Sequence, residues 1–252
     1  MTTPGQLLLV PNTLDLGADA VALDAVLPMA VIQRAAALAN WVVEDARSAR
    51  SFLKRVDAVA PLARPLQAMD MRELPRPRKG SQQAVPAAEW AALLAPALAG
   101  RDIGLLSEAG LPAVADPGSH LVRAAHAAGI AVVPLPGASS LLLALAASGL
   151  NGQSFAFVGY LPQEPAARLT RIRELETLSR RSGQTQLVIE TPYRNNALLT
   201  ALTAGLAPQT WLSVSCNLTQ PEAWIRSEPV AAWNSRAVVL PDRSPAVFAF
   251  LA

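Results

Sequence analysis

Cysteine and histidine are almost missing from this chain. Cys216 stands alone, and His120 and His126 are the only imidazoles. A single thiol excludes an intramolecular disulfide framework, and no Cys/His spacing suits zinc, so no metal is expected. The two histidines stand six positions apart, which does not put both on one helical face; both read as structural or solvent-facing. Charge is scarce as well: 16% of residues are charged, against roughly 25% in ordinary domains, which argues against disorder. The net charge of +2 tolerates a nucleic-acid partner without arguing for one, because a binding footprint needs clustered cations. No long apolar run exists. Leu141 to Ala147 is too short to cross a bilayer and reads as a buried helix, and Met1 to Gly5 lacks the basic start of a secretory signal. A soluble cytoplasmic protein with no membrane partner is expected. Three phosphate- or nucleophile-bearing motifs are also absent: G-x-x-x-x-G-K-[ST], G-x-G-x-x-G after the first strand, and G-x-S-x-G.

What is present is apolar: 52% of 252 residues, enough for one large core or two small ones. Strand candidates at Gln6 to Val10, Trp41 to Val43, Ile103 to Leu106 and Ile130 to Val133 alternate with helical patterns. Those helices are expected at Asp19 to Leu27 (Asp19 as cap), Ala46 to Val56, Ala87 to Leu98, from Ser119, and at Ser139 to Ala147. Residues 57–86 show no periodicity and hold the basic cluster Arg76, Arg78 and Lys79. The βαβα order predicts a mostly parallel sheet covered on both faces. Ser148-Gly149-Leu150-Asn151-Gly152 reads as a linker, giving an N-terminal α/β domain over 1–150 and a mixed α/β domain over 151–252. In the latter, strands are expected at Ser154 to Tyr160, Gln186 to Glu190, Trp211 to Cys216, Ala223 to Arg226 and Val247 to Leu251, with a charged helix from Pro165 to Arg181.

The chemistry concentrates in two turns. Ser107-Glu108-Ala109-Gly110-Leu111-Pro112, closing in Asp116-Pro117-Gly118, follows one strand and opens a helix. Pro134-Leu135-Pro136-Gly137-Ala138-Ser139-Ser140 repeats the arrangement after the next. Adjacent βα turns of this kind form ligand sites at strand ends. With Glu44, Asp45, Glu108 and Asp116 beside small residues, the lining suits a ligand with a cationic end and a flat apolar part. The competing reading is that these acids cap turns and helices. Both readings remain open on residues alone.

These turns, with His120-Leu121-Val122-Arg123, resemble those of the tetrapyrrole methylase superfamily of S-adenosylmethionine (SAM)-dependent methyltransferases. Glu44-Asp45-Ala46-Arg47-Ser48-Ala49-Arg50, Phe157-Val158-Gly159-Tyr160-Leu161-Pro162, Glu190-Thr191-Pro192-Tyr193-Arg194 and Asn217-Leu218-Thr219 resemble, in order, segments of its RsmI-like branch of bacterial small-subunit rRNA ribose 2′-O-methyltransferases. The resemblance implies a two-domain fold with the cofactor in the cleft between the domains, a homodimer, and an RNA acceptor. It also implies that Ser107, Glu108, Ala109, Gly110, Val114, Asp116, Ala138, Ser139, Ser140, Tyr160, Ile189, Cys216, Asn217 and Leu218 hold SAM. A hydroxyl acceptor calls for a base. Glu44 and Asp45 are the candidates, or else they are helix caps, with Arg47 placed for an anionic substrate. Arg76, Arg78 and Lys79 bind phosphates or form a solvated loop. The chain departs from the branch at Leu74 to Gly80, and at Asn217 and Gln220, where the branch carries an acid and a lysine. C-methylation of a tetrapyrrole or corrin precursor, and a cofactor-binding regulatory protein without catalysis, are the alternatives.

Overall fold

The computed structural model describes residues 3–17, 21–76, 85–236 and 238–252. Asp19, Arg78 and Lys79 lie outside them. The chain divides into two compact units, Met1–Ala138 and Ser139–Ala252.

In the first unit the chain runs β1 (Leu7–Val10), α1 (Met29–Ala37), β2 (Asn40–Val43), α2 (Ala46–Val59), β3 (Asp70–Glu73), α3 (Ala87–Ala92), α4 (Ala95–Leu98), β4 (Ile103–Leu106), α5 (Gly118–Ala127) and β5 (Val132–Pro134). The sheet is wholly parallel, in the order β3-β2-β4-β1-β5. Successive side chains point to opposite faces, and both faces are covered. Leu8, Val10, Trp41, Val43 and Leu106 pack under α1 and α2 with Ile32, Phe52 and Leu53. Leu7, Val42, Ile103 and Leu105 face Trp90, Leu94, Leu121 and Ala125 of the other helices. Gly104 is small for a reason: a Cβ there would lie 2.6 Å from the Trp41 ring.

Two expected helices differ. Asp19 to Leu27 holds, in its described part, only a 3-10 turn at Leu23–Ala25; the helix begins beyond Pro28 as α1. The expected Ala87 to Leu98 helix breaks at Leu93 and Leu94, ahead of Pro96, whose ring and missing N–H do not allow a continuous helix. The featureless stretch 57–86 contributes β3, a polar edge strand.

The second unit contains α6 (Ser140–Ser148), β6 (Phe155–Tyr160), α7 (Pro165–Ser182), β7 (Thr185–Ile189), α8 (Asn195–Gly205), β8 (Trp211–Cys216), β9 (Trp224–Pro229), α9 (Val230–Ser235) and β10 (Ala246–Leu251). Its mixed sheet has the order β6-β7-β10-β8-β9, with β6 and β7 parallel and the remaining pairs antiparallel. One face buries Leu187, Val247 and Ala249 against Ala144 and Leu145 of α6. The other buries Val214, Phe248 and Phe250 with Ile172, Leu198 and Trp233. Because α6 packs on this sheet, the units part before that helix, not after it at residue 150. No described helix is long and apolar enough to cross a membrane.

Candidate active site

The connection leaving β2 runs outward to β3, whereas the one leaving β4 runs the opposite way, past β1 to β5. Connections that diverge from neighbouring strands leave a crevice at their carboxyl ends. Glu44 follows β2 and Ser107 follows β4, so both stand at that crevice. The loops after β1, β4 and β5 close around it. Asn12 Nδ2 donates to the carbonyls of Ser107 and Glu108, at 3.0 Å each, and Asn12 N donates to Gly110 O at 2.9 Å. Gly110 has φ of 67°, and a Cβ on it would lie 3.3 Å from the Leu14 side chain and 3.5 Å from Ala138 O. A Cβ on Gly137 would fall 2.3 Å from Pro11. Only small residues let these three loops meet.

A buried ion pair holds the β1 loop. Arg55 of α2 lies 3.2 Å from Asp15, and also donates to Thr13 Oγ1 and Val21 O. Burial raises the Asp15 pKa, but hydrogen bonds from Thr13 and Gly17 and the Arg55 charge outweigh it and hold the carboxyl low. Asn12, Thr13, Asp15 and Arg55 were not among the expected site residues; Pro11-Asn12-Thr13 reads in sequence only as a strand's exit turn.

The loop from Ser107 to Gly118 is backbone-strained and clamped. Ala113 and Ala115 take φ of 67° and 61°, in the left-handed region that disfavours a Cβ. Asp116 holds them there: its oxygens accept from Ala113 N at 2.9 Å and Gly118 N at 2.6 Å. Burial, assisted by the Glu44 charge, raises the Asp116 pKa to about 6 against those hydrogen bonds. Asp116 thus shapes the loop, and Val114 is left 45% exposed at its tip. Ser107 is buried, its hydroxyl donating to Ala109 O at 3.1 Å.

The acids separate by role. Glu44 Oε2 accepts from Glu108 N at 3.1 Å, tying β2 to the β4 loop, while Arg76 donates to Glu44 O at 3.0 Å. Asp45 is the N-cap of α2, accepting from Ser48 N at 2.8 Å. That bond first of all holds its pKa down, which weakens it as a proton acceptor. Glu108 moves the other way. Partial desolvation, and behind it the charges of Glu44 and Asp45, push its carboxyl up, with Arg76 opposing. Arg47 is exposed in the first turn of α2.

In the second unit, Ser139 is the N-cap residue of α6, without a side-chain capping bond. Ile189 and Leu218 pack on the face that α6 covers. Tyr160 is 58% exposed, beyond a register irregularity at the end of β6. Asn217 takes φ of 51° and donates to Ser244 Oγ at 3.1 Å. Cys216 points away from this group: its side chain belongs to the opposite core and the residue is wholly buried.

Residues 27–231 match the family described as Tetrapyrrole (Corrin/Porphyrin) Methylases. Ribosomal RNA small subunit methyltransferase I of Pseudomonas aeruginosa is 37% identical over 132 residues, 52% of this chain and 45% of that protein. Its namesake from Xylella fastidiosa is 50% identical over 78 residues, 31% of this chain and 29% of that one. The chain therefore spans about half the length, or less, of the curated relatives it matches. Among solved structures, the methyltransferase CobJ superposes with a TM-score of 0.57 at 18% identity, covering 97% of this chain and 93% of that one. Uroporphyrin-III C-methyl transferase from Thermus thermophilus, complexed with S-adenyl homocysteine, gives 0.53 at 20% identity, covering 98% and 97%. At such identities the likeness is one of fold. The family match covers most of the sequence and agrees with the paired α/β units and the strand-end loops: the chain belongs to the tetrapyrrole (corrin/porphyrin) methylase family.

Proposed function

We propose that this protein is a SAM-dependent methyltransferase whose acceptor is an RNA ribose hydroxyl or a related hydroxyl. One observation carries the reading: three small-residue loops meet at the diverging strand ends, beside a carboxylate of raised proton affinity. The likeness to ribosomal RNA small subunit methyltransferases favours ribosomal RNA as the acceptor class. The donor set also suits SAM. Among the described residues the amides of Ala109 and Ala138 donate to no protein acceptor, and Gly110 leaves no side chain between backbone and ligand. Ala109, Gly110 and Ala138 would hold the cofactor, with Ser107 and Asp116 fixing their loop and Glu108 and Val114 beside it. We carry the same role for Ser139, Ser140, Tyr160, Ile189, Asn217, Leu218 and the Cys216 backbone.

When bound, SAM supplies a methyl group on an already activated sulfonium, so alignment and exclusion of water are the protein's main tasks. Glu108, whose carboxyl is pushed up, accepts the proton of the attacking hydroxyl. Glu44 positions it through the Glu108 amide. Arg47 faces the anionic acceptor, and Arg76 sets the charge balance between them. Asp45 serves by starting α2 beside the site. Resemblance to the family further supports a homodimer residing in the cytoplasm.

Equilibrium dialysis against SAM and transfer of labelled methyl to small-subunit rRNA test the proposal together. Binding near one per chain, with base-stable label on ribose, is expected. Folded protein that binds no SAM would overturn the cofactor assignment. SAM binding with methyl transfer only to a tetrapyrrole would move the acceptor to the C-methylation alternative, and binding with no transfer would favour a regulatory protein.

A further inference from the structure

The opposite end of the first sheet, where β2 and β4 begin, carries a second feature. Arg34, near the end of α1, Arg64, in the loop leading to β3, and Arg101, just ahead of β4, line one hollow of about 350 Å³ together with Asn40 and Asp102. These cations come from three separate segments, and hydrogen bonds bring the segments together. Ala63 N donates to Ala36 O at 2.8 Å, fixing the Arg64 loop against the end of α1. Asn40 Nδ2 donates to Asp102 O at 3.0 Å, and Arg101 N donates to Pro96 O at 3.0 Å, fixing the Arg101 turn. Gly5 packs so closely under that turn that a Cβ would fall 2.4 Å from the Arg101 carbonyl.

Among the described residues none of the three guanidinium groups meets a carboxylate or another hydrogen-bond acceptor. The single acid of the hollow, Asp102, already accepts from Gln6 N at 2.8 Å. In a chain whose net charge is only +2, three unpaired cations at one place are a concentrated positive field. Holding like charges together is unfavourable unless an anion joins them. The planar forks of arginine match phosphate oxygens in pairs.

We propose that this hollow binds a phosphate of the acceptor RNA's backbone, as an anchoring contact separate from the reaction end. The inference rests on the RNA reading above. Strands β2 and β4 are four residues long, so the hollow lies about 13 Å from the Glu44 and Ser107 end of the same strands. The contact therefore falls on a nucleotide away from the one modified. It carries no base edge and adds affinity without sequence preference.

The test uses the full chain, with RNA binding measured by anisotropy across a salt series. The triple variant Arg34→Gln, Arg64→Gln, Arg101→Gln changes exposed side chains only. Because one phosphate contact is lost, it should lower the slope of log affinity against log salt by about 0.7 to 0.9, with SAM affinity unchanged. A control of equal charge, Arg171→Gln, Arg173→Gln, Arg181→Gln on α7, should change the slope by clearly less. An unchanged slope in the hollow variant, with the parent still binding RNA, would overturn the anchor and leave the methyltransferase reading standing. An equal loss in the control would overturn it too, by tracing the effect to net charge. Inorganic phosphate that competes in the parent but not in the variant would support it. Failure of the parent to bind RNA at low salt would overturn both the acceptor assignment and this contact.

Discussion

Glu108 and Asp116 share one loop and titrate for different reasons, so their variants separate chemistry from folding. If Glu108 takes the acceptor's proton, the acidic limb of kcat/KM should lie above the usual carboxylate range, because its pKa is raised. Glu108→Gln should remove that limb and lower kcat by about 10²- to 10⁴-fold; a retained limb would place the base elsewhere. Asp116 acts on stability. Its folded pKa of about 6 exceeds the usual 3.8, so the folded chain holds the proton more tightly than the unfolded one. The stabilisation is complete below about 3.8 and is lost as pH rises through about 6. The full difference corresponds to about 3 kcal/mol, which solvent screening of this half-buried group reduces to about 1–2 kcal/mol. Urea denaturation at pH 4 and pH 7 should show that difference between the parent and Asp116→Asn, since the lowered carboxyls of Asp15 and Asp45 contribute equally to both. Ala109→Leu, by contrast, should abolish SAM binding in calorimetry while leaving the melting temperature within a few degrees; loss of stability as the main effect would mark the turn as merely tight.

At the scale of elements, the β2–β4 pair depends on an unusual fit: Gly104 accommodates the ring of Trp41. Gly104→Ala should cost about 1–3 kcal/mol of unfolding free energy through overpacking, read as a lower denaturation midpoint. The same pair shows what the sequence reveals and what it hides. β1, β2 and β4 are legible because a strand buried on both faces is written as an apolar run; Pro/Gly turns mark the ends of β1 and β4, and Glu44-Asp45 the end of β2. β3 is not, because Asp70, Met71, Arg72 and Glu73 sit on a sheet edge, where polar side chains are tolerated and no alternation is imposed. The start of α1 escapes the sequence reading because Asp19 resembles a cap, whereas Pro28 stands at the true N-cap with no side-chain capping bond to mark it. In the site, the turn at Ser107 to Gly118 was legible from its composition. The partners Asn12 and Arg55 were not: Asn12 reaches residues about a hundred positions away, a relation no local pattern encodes.

For the whole molecule, binding and folding are linked. SAM at a hundred times its dissociation constant should stabilise the native state by about 2.7 kcal/mol, raising the melting temperature by about 5–10 °C in a chain of this size. A smaller shift at saturation would mean that the unfolding event does not release the cofactor. The solitary thiol makes the second unit's share of that effect readable. Cys216 is wholly enclosed, and burial lifts its pKa to about 11, so both access and ionisation protect it from alkylating reagents. Each molecule therefore carries an internal clock that advances only when the second unit opens. Under native conditions the labelling rate counts those openings, with no other cysteine to blur the signal. Saturating SAM at a hundred times its dissociation constant should slow the clock by up to about 100-fold if that unit contributes contacts, the full factor marking loss of all binding on opening, and should leave its rate unchanged if the first unit holds the cofactor alone.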